Sequence, residues 1–143
     1  MKKFGVTVEK TDNGYTVPEG QNFKSPETFE IEGDWSNGAF WLVAGAIGSD
    51  AGITCTSLRE ETFQGDSRIA EILSKMGADI TRGENGITVK KSRLTAIEVD
   101  CSDIPDNVPI LCVTAASAEG TTVFKNIQRL VTRKATALKL PLI

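Results

Sequence analysis

Three polar side chains lie at the starts of predicted helices, where the first backbone N–H groups have no partner within the helix. Asp34 and Ser36 open one apolar helix, and Asp106 precedes another helix that has Pro109 in its first turn. Such side chains commonly cap a helix by accepting its first N–H groups. Asp34 and Ser36 could instead mark an anion site, because free N–H groups and the positive end of the helix dipole attract negative charge. Both interpretations stay open at this point.

The composition narrows the chemistry that these residues can support. The 143 residues include no histidine, which excludes His-based triads and most zinc sites, and we predict no metal site. The formal net charge of −3, without a long basic run, argues against nucleic acid as a partner. No segment approaches the ~20 apolar residues of a membrane-spanning helix. We therefore expect a cytoplasmic protein with no membrane partner.

The other candidate residues are predicted to be structural. Cys55, Cys101 and Cys112 are odd in number and widely spaced, which predicts small, reduced core thiols with no group to activate them. Trp35 and Trp41 are predicted to line the core. Solvated surface charge is expected for the scattered cations Arg59, Arg68, Arg82, Lys90 and Lys91. Gln64-Gly65-Asp66 is predicted to form a turn and a helix cap.

Two internal echoes in the sequence predict a repeating unit. Lys3-Phe4-Gly5-Val6 resembles Lys75-Met76-Gly77-Ala78, and Asn13-Gly14 resembles Asn85-Gly86, both at an offset of 72 residues. Ile31–Ser36 resembles Ile97–Ser102 at an offset of 66 residues. Because these echoes occur in the same order and at similar spacing, they indicate a unit of about seventy residues.

Residues 27–95 are predicted to form one complete unit with the order β-α-β-α-β-β. Its predicted elements are strand Thr28–Glu32, buried helix Trp35–Ile47, strand Ile53–Cys55, an amphipathic helix capped by Asp66 or Ser67, and a hairpin of Ala78–Thr81 with Gly86–Lys90. The amphipathic helix carries Ile69, Ile72, Leu73 and Met76 at helical spacing, and Gly77 is expected to end it.

The segments on either side match only parts of this unit. Residues 1–26 match its last strand pair and a linker. Residues 96–130 match its first half, with strand Ala96–Val99, helix Asn107–Ala118 and strand Thr121–Lys125. Residues 131–143 do not match, because Pro141 disfavours the second helix expected there. We therefore interpret the chain as a leading hairpin plus about one and a half units of a longer protein.

Three sets of residues resemble the 5-enolpyruvylshikimate-3-phosphate (EPSP) synthase family over residues 2–130. In the family's order they are Glu32-Gly33-Asp34-Trp35-Ser36-Asn37-Gly38-Ala39, then Gln64-Gly65-Asp66 with Lys75-Met76-Gly77-Ala78, then Asp103-Ile104-Pro105-Asp106 with Ala118-Glu119-Gly120-Thr121-Thr122. The related UDP-N-acetylglucosamine enolpyruvyl transferases share the fold but lack this pairing of motifs. They remain an alternative parent.

The resemblance implies an α/β (α+β) fold of βαβαββ units, arranged as the inside-out α/β barrel of enolpyruvyl transferases. It places the end of a first lobe in residues 1–26 and a hinge near residues 31–34. The implied reaction joins the 5-hydroxyl of shikimate 3-phosphate to the enolpyruvyl group of phosphoenolpyruvate and releases phosphate, without a cofactor. A second candidate function is a non-catalytic binding or assembly module that self-associates through its unpaired half-unit.

The resemblance gives Asp106 a catalytic and substrate-binding role, because the family's Ile-Pro-Asp carboxylate contacts the shikimate hydroxyls and takes part in proton transfer. It leaves Asp34 and Ser36 as secondary substrate-binding candidates. After Leu130 the sequence departs from the family's Glu-Ser-Asp-Arg run, because Lys134 stands where the Glu is expected and Ala137 where the Arg is expected. These replacements reverse the charge of a proton-transfer group and remove an anion clamp, so we expect the chain alone to be inactive.

A one-base frameshift after codon 130 would explain the departure. The codons CGT AAC ACG GAA AGC GAC CGC encode Arg-Asn-Thr-Glu-Ser-Asp-Arg. When they are read one base late they give Val-Thr-Arg-Lys-Ala-Thr-Ala, which is the sequence of residues 131–137. We expect the gene to encode a Glu-Ser-Asp-Arg run in the alternative frame after codon 130. Nucleotide sequencing checks this, and another sequence in that frame would refute the hypothesis.

Overall fold

The computed structural model of the chain describes residues 1–84 and 86–133. The chain divides into two compact units, Met1–Ile31 and Glu32–Ile143. The boundary lies within the segment where we placed a hinge, and the hinge itself stays a prediction. Lys134, Ala137 and most of the predicted tail, 131–143, lie outside the described residues. No helix in the described part of the chain is long and apolar enough to cross a membrane.

The first unit contains the predicted leading hairpin. A 3-10 turn, Lys2–Phe4, ends at Gly5, whose φ of 74° is left-handed. Strands β1 (Glu9–Thr11) and β2 (Gly14–Thr16) then pair antiparallel across a two-residue turn. The predicted strand Thr28–Glu32 is wrong, because residues 28–32 adopt no regular ladder. The first backbone hydrogen bond to the chain near β3 is made by the next residue, Gly33, whose N–H donates to the Ser57 carbonyl at 2.8 Å.

The second unit contains the predicted elements of the complete unit after its first strand, followed by the strand, helix and strand of the half-unit. Its regular elements are α1 (Trp35–Gly48), β3 (Ile53–Cys55), α2 (Arg68–Lys75), β4 (Asp79–Gly83), β5 (Gly86–Lys90), β6 (Glu98–Asp100), α3 (Val108–Ala116), β7 (Val123–Lys125) and α4 (Gln128–Arg133). One antiparallel sheet has the order β3-β5-β4, and β6 pairs with β7 in parallel. The α/β fold class predicted from the sequence is therefore confirmed.

Helix α2 forms where the apolar spacing predicts it. Ile69, Ile72 and Leu73 are all buried on its inner face, and the φ of 96° at Gly77 ends the helix as expected. Ser67 is the N-cap residue of α2, which is one of the two predicted alternatives. Asp66 lies in a 3-10 turn, Gly65–Ser67, that leads into the helix, and the Ser67 side chain makes no capping hydrogen bond.

The hydrophobic core lies where α1 and α2 pack against the sheet and where α1 meets α3. On α1, Leu42 and Ala46 are fully buried, whereas Phe40 and Trp41 are 50% and 62% exposed. The prediction that Trp41 lines the core is therefore wrong, because α1 has only one side against the sheet. The prediction for Cys112 is also wrong, because this residue faces outward on α3.

The internal echo around Asp34 and Asp100 shares one hydrogen bond, although only the second copy has a strand before it. The Asp34 carboxylate accepts the Ser36 N–H at 2.8 Å, and the Asp100 carboxylate accepts the Ser102 N–H at 2.9 Å. Each motif is followed by a helix and then by a short strand. The sequence repeat therefore corresponds to a structural repeat.

Helix α1 lies so close to β5 that Gly45 is required. A Cβ at position 45 would lie 2.5 Å from the Val89 carbonyl oxygen, which is rigid backbone, whereas a Cβ at Gly48 of the same helix meets nothing within 4 Å. We expect Gly45→Ala to lower the free energy of unfolding by about 1–3 kcal/mol. The matched Gly48→Ala should leave it unchanged or raise it by up to about 1 kcal/mol. Urea denaturation followed by circular dichroism measures both, and equal effects would contradict the close packing.

Candidate functional site

The side chain of Gln64 joins two of the motifs that carry the family resemblance. Its Oε1 atom accepts the Trp35 N–H at 2.9 Å, and its Nε2 atom donates to the Gly33 carbonyl at 2.9 Å. One amide therefore satisfies backbone groups on both sides of Asp34 and fixes the start of α1. The sequence placed Gln64 inside a motif, but we predicted only a turn and a cap there.

A chain of hydrogen bonds supports Gln64 from the other side. The Thr62 hydroxyl donates to Glu32 Oε1 at 3.0 Å and accepts the Gln64 N–H at 3.1 Å. Hydrogen bonds from Gln64 and Thr62 hold the pKa of Glu32 below its usual value. Glu32 is thus a charged acceptor beside the start of α1. The sequence carried no signal for Thr62, because this pairing joins residues that are 30 positions apart.

Asp34 caps α1, as one of the two sequence interpretations predicted. Its Oδ1 atom accepts the Ser36 N–H and the Ser36 hydroxyl, both at 2.8 Å, while Asn37 Nδ2 donates to its Oδ2 atom at 2.6 Å. The side-chain hydrogen bond from Ser36 is the main cause of a lowered pKa at Asp34. The carboxylate therefore already occupies helix N–H groups that a bound anion would use. The substrate-binding role of Asp34 and Ser36 stays a prediction.

Asp106 lies in a 3-10 turn, Pro105–Asn107, directly before α3, and its side chain is half-buried. The prediction that Asp106 is the N-cap is wrong, because Asn107 holds that position and makes no side-chain capping bond. Pro105 and Pro109 favour this compact entry to the helix, since proline fits the first helical turn. The catalytic role of Asp106 remains a prediction.

The Asp106 turn packs directly against the Gln64 motif. Asn107, which is fully buried, donates from Nδ2 to the Asp66 carbonyl at 2.9 Å. A Cβ at Gly65 would lie 2.8 Å from the Asp103 carbonyl oxygen. Through these contacts the turn at residues 64–66 connects the start of α1 with the start of α3. The segments around Asp34, Gln64 and Asp106 therefore meet at one end of the second unit.

A groove of about 380 Å³ opens beside this end of the unit. Asp34, Trp41, Cys55 and Leu58 are among its lining residues. Trp41 therefore faces a groove, whereas the prediction of a core position holds for Trp35, which is 2% exposed and donates from its indole to the Arg59 carbonyl at 3.0 Å. The groove combines an apolar wall with one carboxylate.

Arg82 and Cys101 agree with the sequence expectations for them. Arg82 pairs with Glu60 at 2.7 Å on the exposed surface. Burial raises the pKa of Cys101, so this thiol is not an activated nucleophile. Among the described residues, no group of three or more Cys, Asp or Glu side chains could hold a metal ion. Among its described residues the site therefore offers mainly carboxylates.

Comparison with known proteins identifies relatives that match most of the chain. The family model of EPSP synthase (3-phosphoshikimate 1-carboxyvinyltransferase) matches residues 1–138. A 3-phosphoshikimate 1-carboxyvinyltransferase from Clostridium novyi is 38% identical over 139 residues, which are 97% of this chain and 32% of the relative. One from Escherichia coli O1:K1 is 38% identical over 128 residues, or 89% and 30%. The chain thus spans about a third of the length of these relatives.

Solved structures give the same result for the fold. The EPSP synthase from Acinetobacter baumannii has a TM-score of 0.69 and 30% identity, over 86% of this chain and 30% of that structure. The enolpyruvyl transferase NikO from Streptomyces tendae has a TM-score of 0.59 over the same shares, with 19% identity, and shows the fold alone.

The capping role of Asp34 has a testable pH dependence. We expect Asp34→Ala to lower the free energy of unfolding by about 1 kcal/mol at pH 7, because two N–H groups of α1 lose their acceptor. The folded state lowers the pKa of Asp34, so its stabilisation is present above the unfolded pKa of about 3.9 and is lost as pH falls through the folded pKa.

Asp34→Asn is the matched control, since it keeps a capping oxygen but does not titrate. The advantage of the natural chain over this variant should shrink when the pH is lowered from 5 to about 2.5. Urea denaturation at several pH values measures it. A difference that stays constant over this range would contradict the role of the charged cap.

Proposed function

The chain belongs to the EPSP synthase family, and from that premise we propose that it is part of a 3-phosphoshikimate 1-carboxyvinyltransferase. The reaction moves the enolpyruvyl group of phosphoenolpyruvate to the 5-hydroxyl of shikimate 3-phosphate and releases phosphate. The observation that carries this proposal is the family match over residues 1–138. The same match favours this branch over the UDP-N-acetylglucosamine transferases as the parent of the chain.

Asp106 is the residue that we propose for substrate binding and proton transfer. The reaction needs a group that binds and deprotonates the attacking hydroxyl, and a carboxylate is suited to both tasks. Packing of Asn107 and of the turn at residue 65 against its segment holds Asp106 in a defined position. A fixed carboxylate needs no reorganisation during the reaction, which supports such a role.

The 143-residue chain alone is proposed to be inactive. It spans about a third of its relatives, and Lys134 and Ala137 stand where the resemblance expects an acid–base Glu and a phosphoenolpyruvate-binding Arg. Two phosphorylated substrates require several cations around a closed site. The described site offers mainly carboxylates, so most of the required binding groups would have to come from outside this chain.

The second candidate function is a non-catalytic assembly module on the same scaffold. It is favoured by the half-unit of residues 96–130, in which β7 pairs with β6 but, among the described residues, has no strand on its other edge. Open strand edges promote association. With either function we propose a cytoplasmic protein that works without nucleic acid, membrane or cofactor.

A chimera tests the role of Asp106. Residues 32–130 replace the matching segment of the Clostridium novyi relative, which then supplies all other residues. We expect the chimera to release phosphate from phosphoenolpyruvate only when shikimate 3-phosphate is present, and Asp106→Asn to lower kcat about 10²–10⁴-fold. Asp103→Asn is the matched control, because Asp103 is an exposed carboxylate in the same loop. It should retain kcat within threefold.

The same phosphate assay tests the chain alone, for which we expect no turnover. Turnover by the 143-residue chain would overturn the proposed inactivity. An active chimera with equal kcat for the two Asp variants would overturn the role of Asp106.

A further inference from the structure

The hairpin β1–β2 is the counterpart of the hairpin β4–β5, but its apolar face is uncovered. Tyr15 and Val17 correspond to Ile87 and Val89 at the 72-residue offset. Ile87 and Val89 are 2% and 0% exposed in the core, whereas Tyr15 and Val17 are 73% and 53% exposed. The first hairpin therefore carries an apolar face like that of the second hairpin without the layer that buries it.

The two hairpins also differ at their outer edges. On the second hairpin, the outer edge of β5 is paired with β3. A Cβ at Gly86 would collide with the Cys55 carbonyl, so this glycine lets the β3 backbone approach. At the equivalent Gly14, nothing in the described part of the chain lies within 4 Å of such a Cβ. Gly14 thus leaves room for a neighbouring backbone, as Gly86 does.

Strand β7 is the counterpart of β3. Within two residues after each strand comes a non-glycine residue with left-handed backbone, Ser57 with φ 63° after β3 and Asn126 with φ 58° after β7. Two residues earlier, Cys55 and Phe124 each pack in part against the core. In the described residues β3 has a neighbour in β5, but β7 has none beyond β6. Among the described residues, no hairpin pairs with the second half-unit.

The open edge of β7 presents specific backbone groups. The Val123 N–H donates to the Ile97 carbonyl at 3.1 Å, and the Lys125 carbonyl accepts the Cys101 N–H at 2.9 Å, so both residues bond towards β6. Since alternate residues of a strand bond to opposite sides, the main-chain groups of Thr122 and Phe124 face the open edge. The buried Thr122 hydroxyl also has no hydrogen-bond partner among the described residues. This edge is suited to an added strand.

We propose that β2 of one copy of this chain pairs antiparallel with β7 of a second copy. In the β3–β5 pair, Ile53 lies opposite Val89 and Cys55 lies opposite Ile87. If β7 takes the place of β3 and β2 the place of β5, the corresponding pairs are Thr122 with Val17, Val123 with Thr16, and Phe124 with Tyr15. In a hairpin with a two-residue turn the residues beside the turn bond to each other, so Tyr15 and Val17 bond outward. Their N–H and carbonyl groups then meet those of Phe124 and Thr122.

A second copy is the occupant because every chain supplies both halves of the contact. In the part of each copy that the structure describes, one hairpin has no third strand and one strand pair has no hairpin. Tyr15, Val17 and Val123 are exposed at the two edges. The contact joins different surfaces, so it can propagate from copy to copy or close into a ring. Because only three residues pair, it is far smaller than a standard interface. We expect a Kd of about 10 μM to 1 mM.

Disulfide trapping between two different variants tests the register. Thr16→Cys and Val123→Cys are made in separate chains, each in a Cys112→Ser background that removes the exposed native thiol. Opposed residues that do not exchange hydrogen bonds lie about 4.5 Å apart between Cα atoms, which a disulfide spans. Mild oxidation of the mixture should give a mixed disulfide dimer. The background chain alone should give none, and absence of the mixed dimer overturns the proposal.

Sedimentation equilibrium then tests which groups carry the association. Val17→Pro removes an N–H that the partner strand needs but leaves the β1–β2 pairing intact, and should weaken association at least tenfold. Val17→Thr keeps the N–H and should bind within threefold of the natural chain. A monomer at all concentrations up to about 1 mM, or equal binding by the two variants, overturns the proposal.

Occupation of the edge by the end of the same chain is the remaining outcome to separate. A chain that stops at Arg133 keeps both edges and should associate as strongly as the full chain. Stronger association on removal of residues 134–143 would show that they cover the edge, and would overturn pairing between copies in the full chain. This inference develops the assembly candidate proposed above. Its failure leaves the phosphate assay of the chimera unaffected, so the two proposals fail separately.

Discussion

The geometry of the site depends on one side-chain amide, that of Gln64. It accepts the Trp35 N–H and donates to the Gly33 carbonyl, and the turn that follows it packs against the segment of Asp106. A buried backbone group that loses its partner costs about 1–3 kcal/mol. Two such groups at the start of α1 therefore make Gln64 hard to replace. Because the amide spans both sides of Asp34, the cap and the start of the helix are fixed together.

Close contact of backbone with backbone is the second constraint. Gly45 brings α1 against β5, and Gly65 brings the Gln64 turn against the loop before α3. Because neither glycine has a side chain, the two backbone segments can come into direct contact at each of these points. The starts of α1 and α3 are thus fixed relative to the sheet and to each other, and so are the site residues that they carry.

Elements defined by local sequence signals were predictable, and those defined by distant partners were not. Helix α2 follows from its apolar spacing and from Gly77, and the hairpin β4–β5 from its turn. Strand Thr28–Glu32 was predicted from alternation alone, but a strand also needs a neighbour for most of its length, and no alternation reveals one. Trp41 and Cys112 were misplaced because apolar residues surround α1 and α3, which hides the outward side. At the site, the Asp34 cap was readable, whereas Thr62 and the Asn107–Asp66 contact join distant positions.

The two tryptophans differ in solvent exposure and can therefore act as two distinct intrinsic fluorescence probes. Trp35 is enclosed and its indole is hydrogen-bonded to the Arg59 carbonyl, whereas Trp41 stands in the groove in contact with solvent. An enclosed indole fluoresces at shorter wavelength and is shielded from soluble quenchers, whereas an accessible one is not. Since the sequence contains only these two, iodide quenching would separate their emission. In one sample, the emission of Trp41 can thus report changes in the groove, and the emission of Trp35 can report loosening of the start of α1.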